Sequence, residues 1–162
     1  MTKNATMSVT YAHGEDAAAV VSWLENRVDV VAWAGEAVPD PLDVEWLVQE
    51  IGKPNPQHYA LKDNDGNIAG LFALISYPDE QRLHLTRVIV APTNRGAGLG
   101  KRIVAECQRL LRESTANLLT LHVFVSNQRA FTLYEQTGFQ RIAEPLTPPN
   151  APDPLIRMEY RS

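Results

Sequence analysis

Cysteine is nearly missing from this chain: Cys107 is the single thiol among 162 residues. One cysteine cannot close an intramolecular disulfide, and such usage fits a reducing compartment. Cys107 falls inside a long helical pattern with no histidine or asparagine pattern beside it. It reads as a buried, inert thiol and not as a nucleophile. Histidine is scarce as well. The four that are present, His13, His58, His84 and His122, show no metal-ligand spacing, so no metal is expected. Positive charge is not in excess either. Fifteen Lys and Arg against nineteen Asp and Glu give a net charge of −4, which offers no support for nucleic-acid binding. No apolar run is long enough to span a bilayer, and no secretory signal pattern is seen. A cytoplasmic protein with no membrane and no nucleic-acid partner is expected.

The length suits one domain over residues 1–162 with a substantial core. Residues 1–6 are polar and read as a disordered tail, with Met7 an alternative start. Hydrophobic periodicity then orders the chain. Ser8 to Ala12 reads as a strand, and Glu15 to Arg27 as a helix carrying Ala18, Val21, Leu24 and Val28. Asp29 to Pro41 reads as irregular, broken by Pro39 and Pro41. Asp43 to Ile51 is a second helix. Gln57 to Leu61 and Ile68 to Tyr77 form a hairpin around Asp63-Asn64-Asp65-Gly66-Asn67. Further on, strands at Phe139 to Ala143 and Leu155 to Tyr160 flank a Pro-rich loop, Pro145 to Pro154. With the elements between Leu83 and Gln136, the order β-α-α-β-β-β-α-β-α-β-β predicts a mixed α/β sheet.

What is most informative lies at Leu83 to Lys101, LHLTRVIVAPTNRGAGLGK. A β-branched run, Val88-Ile89-Val90, ends at Pro92 and Asn94. Gly96, Gly98 and Gly100 follow at alternate positions. A helix then runs from Leu99 to Arg112, with Ile103, Val104, Leu110 and Leu111 apolar. Such a loop at a helix start exposes unpaired amides to an anion, and glycines let the anion approach. The P-loop spacing fails, because Arg95 and Arg102 stand where a glycine and a Ser or Thr are needed. The dinucleotide fingerprint fails too, since the third glycine comes one position early. A glycine turn that merely caps the helix stays open on this loop alone.

A second string follows a second apolar strand, Leu118 to Val125. It reads V-S-N-Q-R-A-F-T-L-Y-E-Q-T-G-F, ending at Phe139. Asn127 occupies a helix cap position, and Ala130 is small enough for close helix packing. Leu133 lies on the same face, while Gly138 stops the helix before Phe139. R-G-x-G-x-G followed by N-x-x-A-x-x-L-Y-x-x-x-G-F resembles the two signatures of the GCN5-related N-acetyltransferases (GNAT). The resemblance is clear from about Gly70 to Ala143 and loose before it.

The resemblance implies the acyl-CoA N-acyltransferase fold, a mixed, mostly antiparallel sheet with splayed fourth and fifth strands flanked by helices. It also implies an acetyl-CoA-dependent N-acetyltransferase that moves acetyl to a primary amine of a small molecule or peptide by direct attack. Carried over residue by residue, pantetheine would lie against Val88, Ile89 and Val90. The diphosphate would lie on Arg95, Gly96, Ala97, Gly98, Leu99, Gly100 and Lys101. Asn127 and Ala130 would border the pantetheine arm. Tyr134 stands where the family places its thiol-facing tyrosine, and a phenol of pKa near ~10 suits a proton donor. Where many members carry a glutamate early in the fourth strand, this chain has His84, a candidate base. Strand alternation puts His84 with Thr86, Val88 and Val90 if no bulge intervenes. His122 reads as a structural or rim residue. Trp33, Glu36, His84 and Thr86 would border the acceptor, and Trp23 and Trp46 read as core. Glu36, Asp40, Asp43 and Glu45 would favour a cationic amine. A non-catalytic acyl-CoA sensor and a transferase of longer acyl chains are the alternatives, and homodimerisation through sheet edges or late strands is left open.

Overall fold

The computed structural model describes residues 7–35, 37–146 and 153–162, with the side chains of 143–146 left aside. The expected tail at 1–6, Glu36 and most of the Pro-rich loop therefore lie outside the described residues. One sheet of seven strands runs in the order β1-β2-β3-β4-β5-β7-β6. The chain divides into two compact units: residues up to Ile75 with Thr86–Leu99, and Ser76–Leu85 with Gly100–Ser162.

In the first unit β1 (Ser8–Tyr11) pairs antiparallel with β2 (Gln57–Lys62), and β2 pairs antiparallel with β3 (Ile68–Tyr77). The hairpin turn forms because Asp63 Oδ1 accepts from the amides of Asp65 and Asn67, each at 2.9 Å. Gly66 supplies the left-handed turn residue at φ 83°. Ala69 to Leu74 of β3 are buried without a break, as in a strand covered on both faces.

Three helices precede the hairpin: α1 (Ala17–Ser22), α2 (Arg27–Ala34) and α3 (Val44–Gly52). Here the structure corrects the sequence reading. The expected helix at Glu15 to Arg27 stops at Ser22, and part of the segment read as irregular is α2. Asn26 is the reason: its side chain accepts from the amide of Asp29 at 2.9 Å and starts a new helix. Asp43 caps α3 in the same manner, accepting from Glu45 N. The core of this unit gathers Ala17, Val20, Trp33, Leu47, Ile51, Ala60, Leu71 and Ile89. Leu47 is wholly buried. Truncating such a leucine to alanine costs about 2–5 kcal/mol.

β4 (Arg82–Val90) begins in the second unit and ends in the first. Within the second unit, Arg82–Leu85 pair in parallel with Leu118–Leu121 of β5 (Leu118–Phe124). That described pairing ends at Leu85 and Leu121, although both strands run on. β5 pairs antiparallel with β7 (Leu155–Arg161) along its whole length, and β7 pairs antiparallel with β6 (Gln140–Leu146). Leu119, Leu121 and Val123 are buried at alternate positions, with Ile156 and Met158 on β7. α4 (Leu99–Glu113) buries Ile103, Val104, Cys107 and Leu111 at helical spacing. α5 (Gln128–Gln136) ends as expected. Gly138 takes φ 102°, and Phe139 N donates to Tyr134 O at 3.0 Å.

Candidate active site

The end of β4 and the glycine loop come from the first unit. Arg87 has φ 56°, a left-handed value in mid-strand. This breaks the two-residue alternation, so the phase of His84 cannot be carried through to Val88 and Val90. Thr86, Val88 and Val90 are half-buried, and Ile89 joins the core. Beyond Ala91 a 3-10 turn, Pro92–Asn94, leads into the loop. Gly96 and Gly98 take φ 80° and 82°, conformations that side chains resist. Arg95 and Lys101 are exposed and pair with no carboxylate among the described residues. α4 is fifteen residues long and starts at Leu99, so its first-turn amides lack intrahelical acceptors.

The side chain of Arg87 is held firmly. It donates to Glu50 Oε1 at 2.9 Å and meets His58 Nε2 at 3.0 Å, over the ring of Trp46. Burial raises the Glu50 carboxyl, but hydrogen bonds from Lys53 and Arg87 outweigh it and hold the group below its ordinary value. His58 is fully buried. Burial, then the Arg87 charge, pushes it down to about 4. His58 therefore accepts the Arg87 N–H through a bare Nε2.

Two acceptor residues expected from sequence fare differently here. Trp33 is 8% exposed and packs within the core, so it does not stand free as a pocket wall. Two of the four residues of the acidic stretch serve structure. Asp40 lies 4.0 Å from Arg27, and Asp43 is the α3 cap.

Within the second unit, Gly100 near the start of α4 comes close to α5. A Cβ on Gly100 would lie 2.9 Å from Leu133 Cδ2, so the third glycine admits the α5 leucine. Asn127 caps α5 through Oδ1, which accepts from Ala130 N at 3.2 Å. Tyr134 is 9% exposed and meets Phe139 edge-on at 5.6 Å. Burial pushes its phenol up to about 12, so it stays protonated at neutral pH. Burial also pushes the Cys107 thiol up, which leaves it inert, as expected.

His84 stands in a largely buried polar cluster with Arg82, Thr120 and His122 on β4 and β5. Its Nδ1 lies 2.7 Å from Thr120 Oγ1, and that oxygen also accepts from Arg82 Nη1 at 2.9 Å. Thr120 is fully buried. Arg82 only donates, and the hydroxyl offers one proton and two lone pairs, so His84 Nδ1 meets it as acceptor in one tautomer and as donor in the other. The His122 ring lies 4.9 Å away. Burial, then the charges of His122, Arg82 and Arg157, pushes His84 down to about 4. The imidazole is therefore neutral at pH 7, with one ring nitrogen bare and able to accept a proton. The sequence reading did not group Arg82, Thr120 and Arg157 with His84, because the strand pairing that gathers them is not local.

The profile of the Acetyltransferase (GNAT) family matches residues 18–139. The chain belongs to this family. It is an N-acetyltransferase, with acetyl-CoA as the co-substrate of the family. It is 30% identical over 129 residues to the uncharacterized N-acetyltransferase YycN of Bacillus subtilis, covering 73% of this chain and 79% of that protein. It is 38% identical over 76 residues to a streptothricin acetyltransferase of Streptomyces lavendulae, covering 46% and 40% of the two chains. Among solved structures, it resembles a spermidine N-acetyltransferase from Vibrio cholerae in complex with CoA and spermine. The TM-score is 0.80 at 19% identity, over 98% of this chain and 96% of that one. That likeness bears on the fold. The glycine loop of this acetyltransferase fits a diphosphate on its own geometry. Nothing lies within 4 Å of a Cβ placed on Gly96, and two cationic side chains, Arg95 and Lys101, stand exposed beside it.

Proposed function

We propose that residues 1–162 act as one acetyltransferase domain that moves acetyl from acetyl-CoA to a primary amine of a small molecule or peptide. The contact between Gly100 and Leu133 carries the reading, because it seats the glycine-loop helix against the helix that bears Asn127 and Tyr134. Amides from Arg95 to Lys101 take the diphosphate. The backbone of Val88 and Val90 takes the pantetheine arm as an added strand. Asn127 has its Oδ1 committed to the cap, and its Nδ2 remains a donor for the same arm.

The amine nitrogen attacks the thioester carbonyl, forming the C–N bond as the C–S bond breaks. Val90 N–H polarises that carbonyl. Tyr134 gives its proton to the leaving thiolate and regains one from solvent. The ammonium proton leaves through a water relay or to His84 as base, with Thr86 beside it on β4 bordering the acceptor.

The test is amine-dependent release of free thiol from acetyl-CoA against a panel of amines, with Tyr134→Phe as control. The expected loss in the variant is on the order of 10²-fold in kcat, with KM for acetyl-CoA nearly unchanged. Tight CoA binding with no thiol release for any amine would favour a sensor role instead. An unchanged kcat in the variant would remove Tyr134 from the chemistry.

A further inference from the structure

β4 carries one residue in a conformation that its own side chain disfavours. Arg87 stands at φ 56°, where glycine or asparagine would be at ease and a long side chain is not. Such a dihedral persists where the surroundings over-determine it. Trp46 and Glu50 are four residues apart on α3 and so share one face. Arg87 lies over the Trp46 ring at 5.2 Å, and its Nη2 donates to Glu50 Oε1 at 2.9 Å. Its Nη1 donates to His58 Nε2, on β2, at 3.0 Å. Lys53 donates to the other Glu50 oxygen, so the anchor is itself held. Both terminal nitrogens of Arg87 are thus committed to partners on two other elements, and its side chain is only 14% exposed.

The stretch just after Arg87 is the one read above as the bed of the pantetheine arm. Ala91 N donates to Ala69 O at 2.8 Å, and a Cβ on Gly70 would lie 3.3 Å from Ile89 O. Backbone groups of Ile89 and Ala91 are therefore turned toward β3. By alternation along the strand, those of Val88 and Val90 are turned away from it. All of these residues belong to the first unit. An Arg87 relaxed to an extended dihedral would change the direction in which the chain enters Val88.

We infer that Arg87 is a positioning residue for the acyl donor: gripped by Glu50, His58 and Trp46, it holds the left-handed residue that presents the backbone of Val88 and Val90 to acetyl-CoA. The inference rests on the reading above that this backbone takes the pantetheine arm. The Arg87 side chain is turned to α3 and β2, so it acts through the main chain that it pins.

Calorimetry of CoA binding, with no amine present, is the test. The native chain should bind CoA, and Arg87→Ala should bind it about tenfold more weakly, compared at equal folded fraction. A merely structural role would lower the unfolding midpoint and leave the affinity of the folded protein unchanged. Arg87→Gly accepts the left-handed dihedral without strain and should keep more affinity than Arg87→Ala. Equal losses in those two variants would overturn the part given to the dihedral. Should Arg87→Ala fail to fold, Glu50→Leu with Arg87→Leu removes both buried charges and carries the same measurement. CoA binding as tight as native in the folded variants would overturn the inference and leave the acetyltransferase reading intact. No CoA binding by the native chain would sink that reading, and the inference with it.

Discussion

In the first unit, His58 is fully buried and faces Arg87, and Arg87 is in turn held by Glu50. In the second, His84 is half-buried and faces His122, Arg82 and Arg157. Both imidazoles are pushed to about 4, with burial the largest cause in each. The surroundings nevertheless differ in kind. Around His58 a carboxylate answers the cation, so the charges close on themselves. Around His84, beyond burial, the groups that depress it are His122, Arg82 and Arg157; Glu80 pairs with Arg82, and the Arg157 Nε–H has no partner among the described residues. A depressed histidine alone does not say what surrounds it: His58 sits in a closed ion-pair network, and His84 in a polar cluster with one arginine N–H unpaired among the described residues.

The strongest way to break this comparison is to open the closed network. Glu50→Gln leaves the Arg87 charge largely buried and uncompensated, and a loss of about 3 kcal/mol is expected, the low end for breaking a buried pair. Urea unfolding reads it. Replacing both partners, Glu50→Leu with Arg87→Leu, should cost clearly less than the two single losses summed, and strict additivity would mean the pair is not coupled.

A smaller effect follows from pH. Unfolded, His58 titrates near 6.5; folded, near about 4. Between those values the unfolded chain binds more protons. The contribution is therefore complete above pH 6.5, shrinks as pH falls, and levels off below about 4. His58→Asn should flatten part of that decline in unfolding midpoint between pH 7 and 4.5. A decline of the same depth in the variant would place the titration elsewhere.

The smallest effect sharpens the contrast between the two sites. NMR titration of Arg157→Gln should move His84 and His122 upward, because a cation that holds both down is gone. Glu50→Gln should move His58 further down, since Glu50 is among the groups that raise it. Shifts of the same sign at both sites would erase the distinction drawn here.

Much of this was legible in the residues themselves, wherever the cause is local. The hairpin turn at Asp63, the caps at Asp43 and Asn127, the stop at Gly138 and the glycine loop all depend on hydrogen bonds or dihedral angles spanning a few positions. Two strings of that kind, about thirty residues apart, were enough to point to an N-acetyltransferase with acetyl-CoA as donor. The break at Asn26 was missed although its signal is equally local, because the apolar spacing ran on past it. Tertiary structure alone decided the rest. The left-handed Arg87 interrupts the regular strand dihedrals, so alternation cannot be counted through it from sequence. Trp33 went to the core. His84 gained Thr120 as its partner, 36 residues away in sequence, because the parallel pairing of β4 with β5 sets the two opposite each other. Charge balance around a side chain is set by what strand register brings opposite it, and register is written nowhere within the strand that carries the side chain.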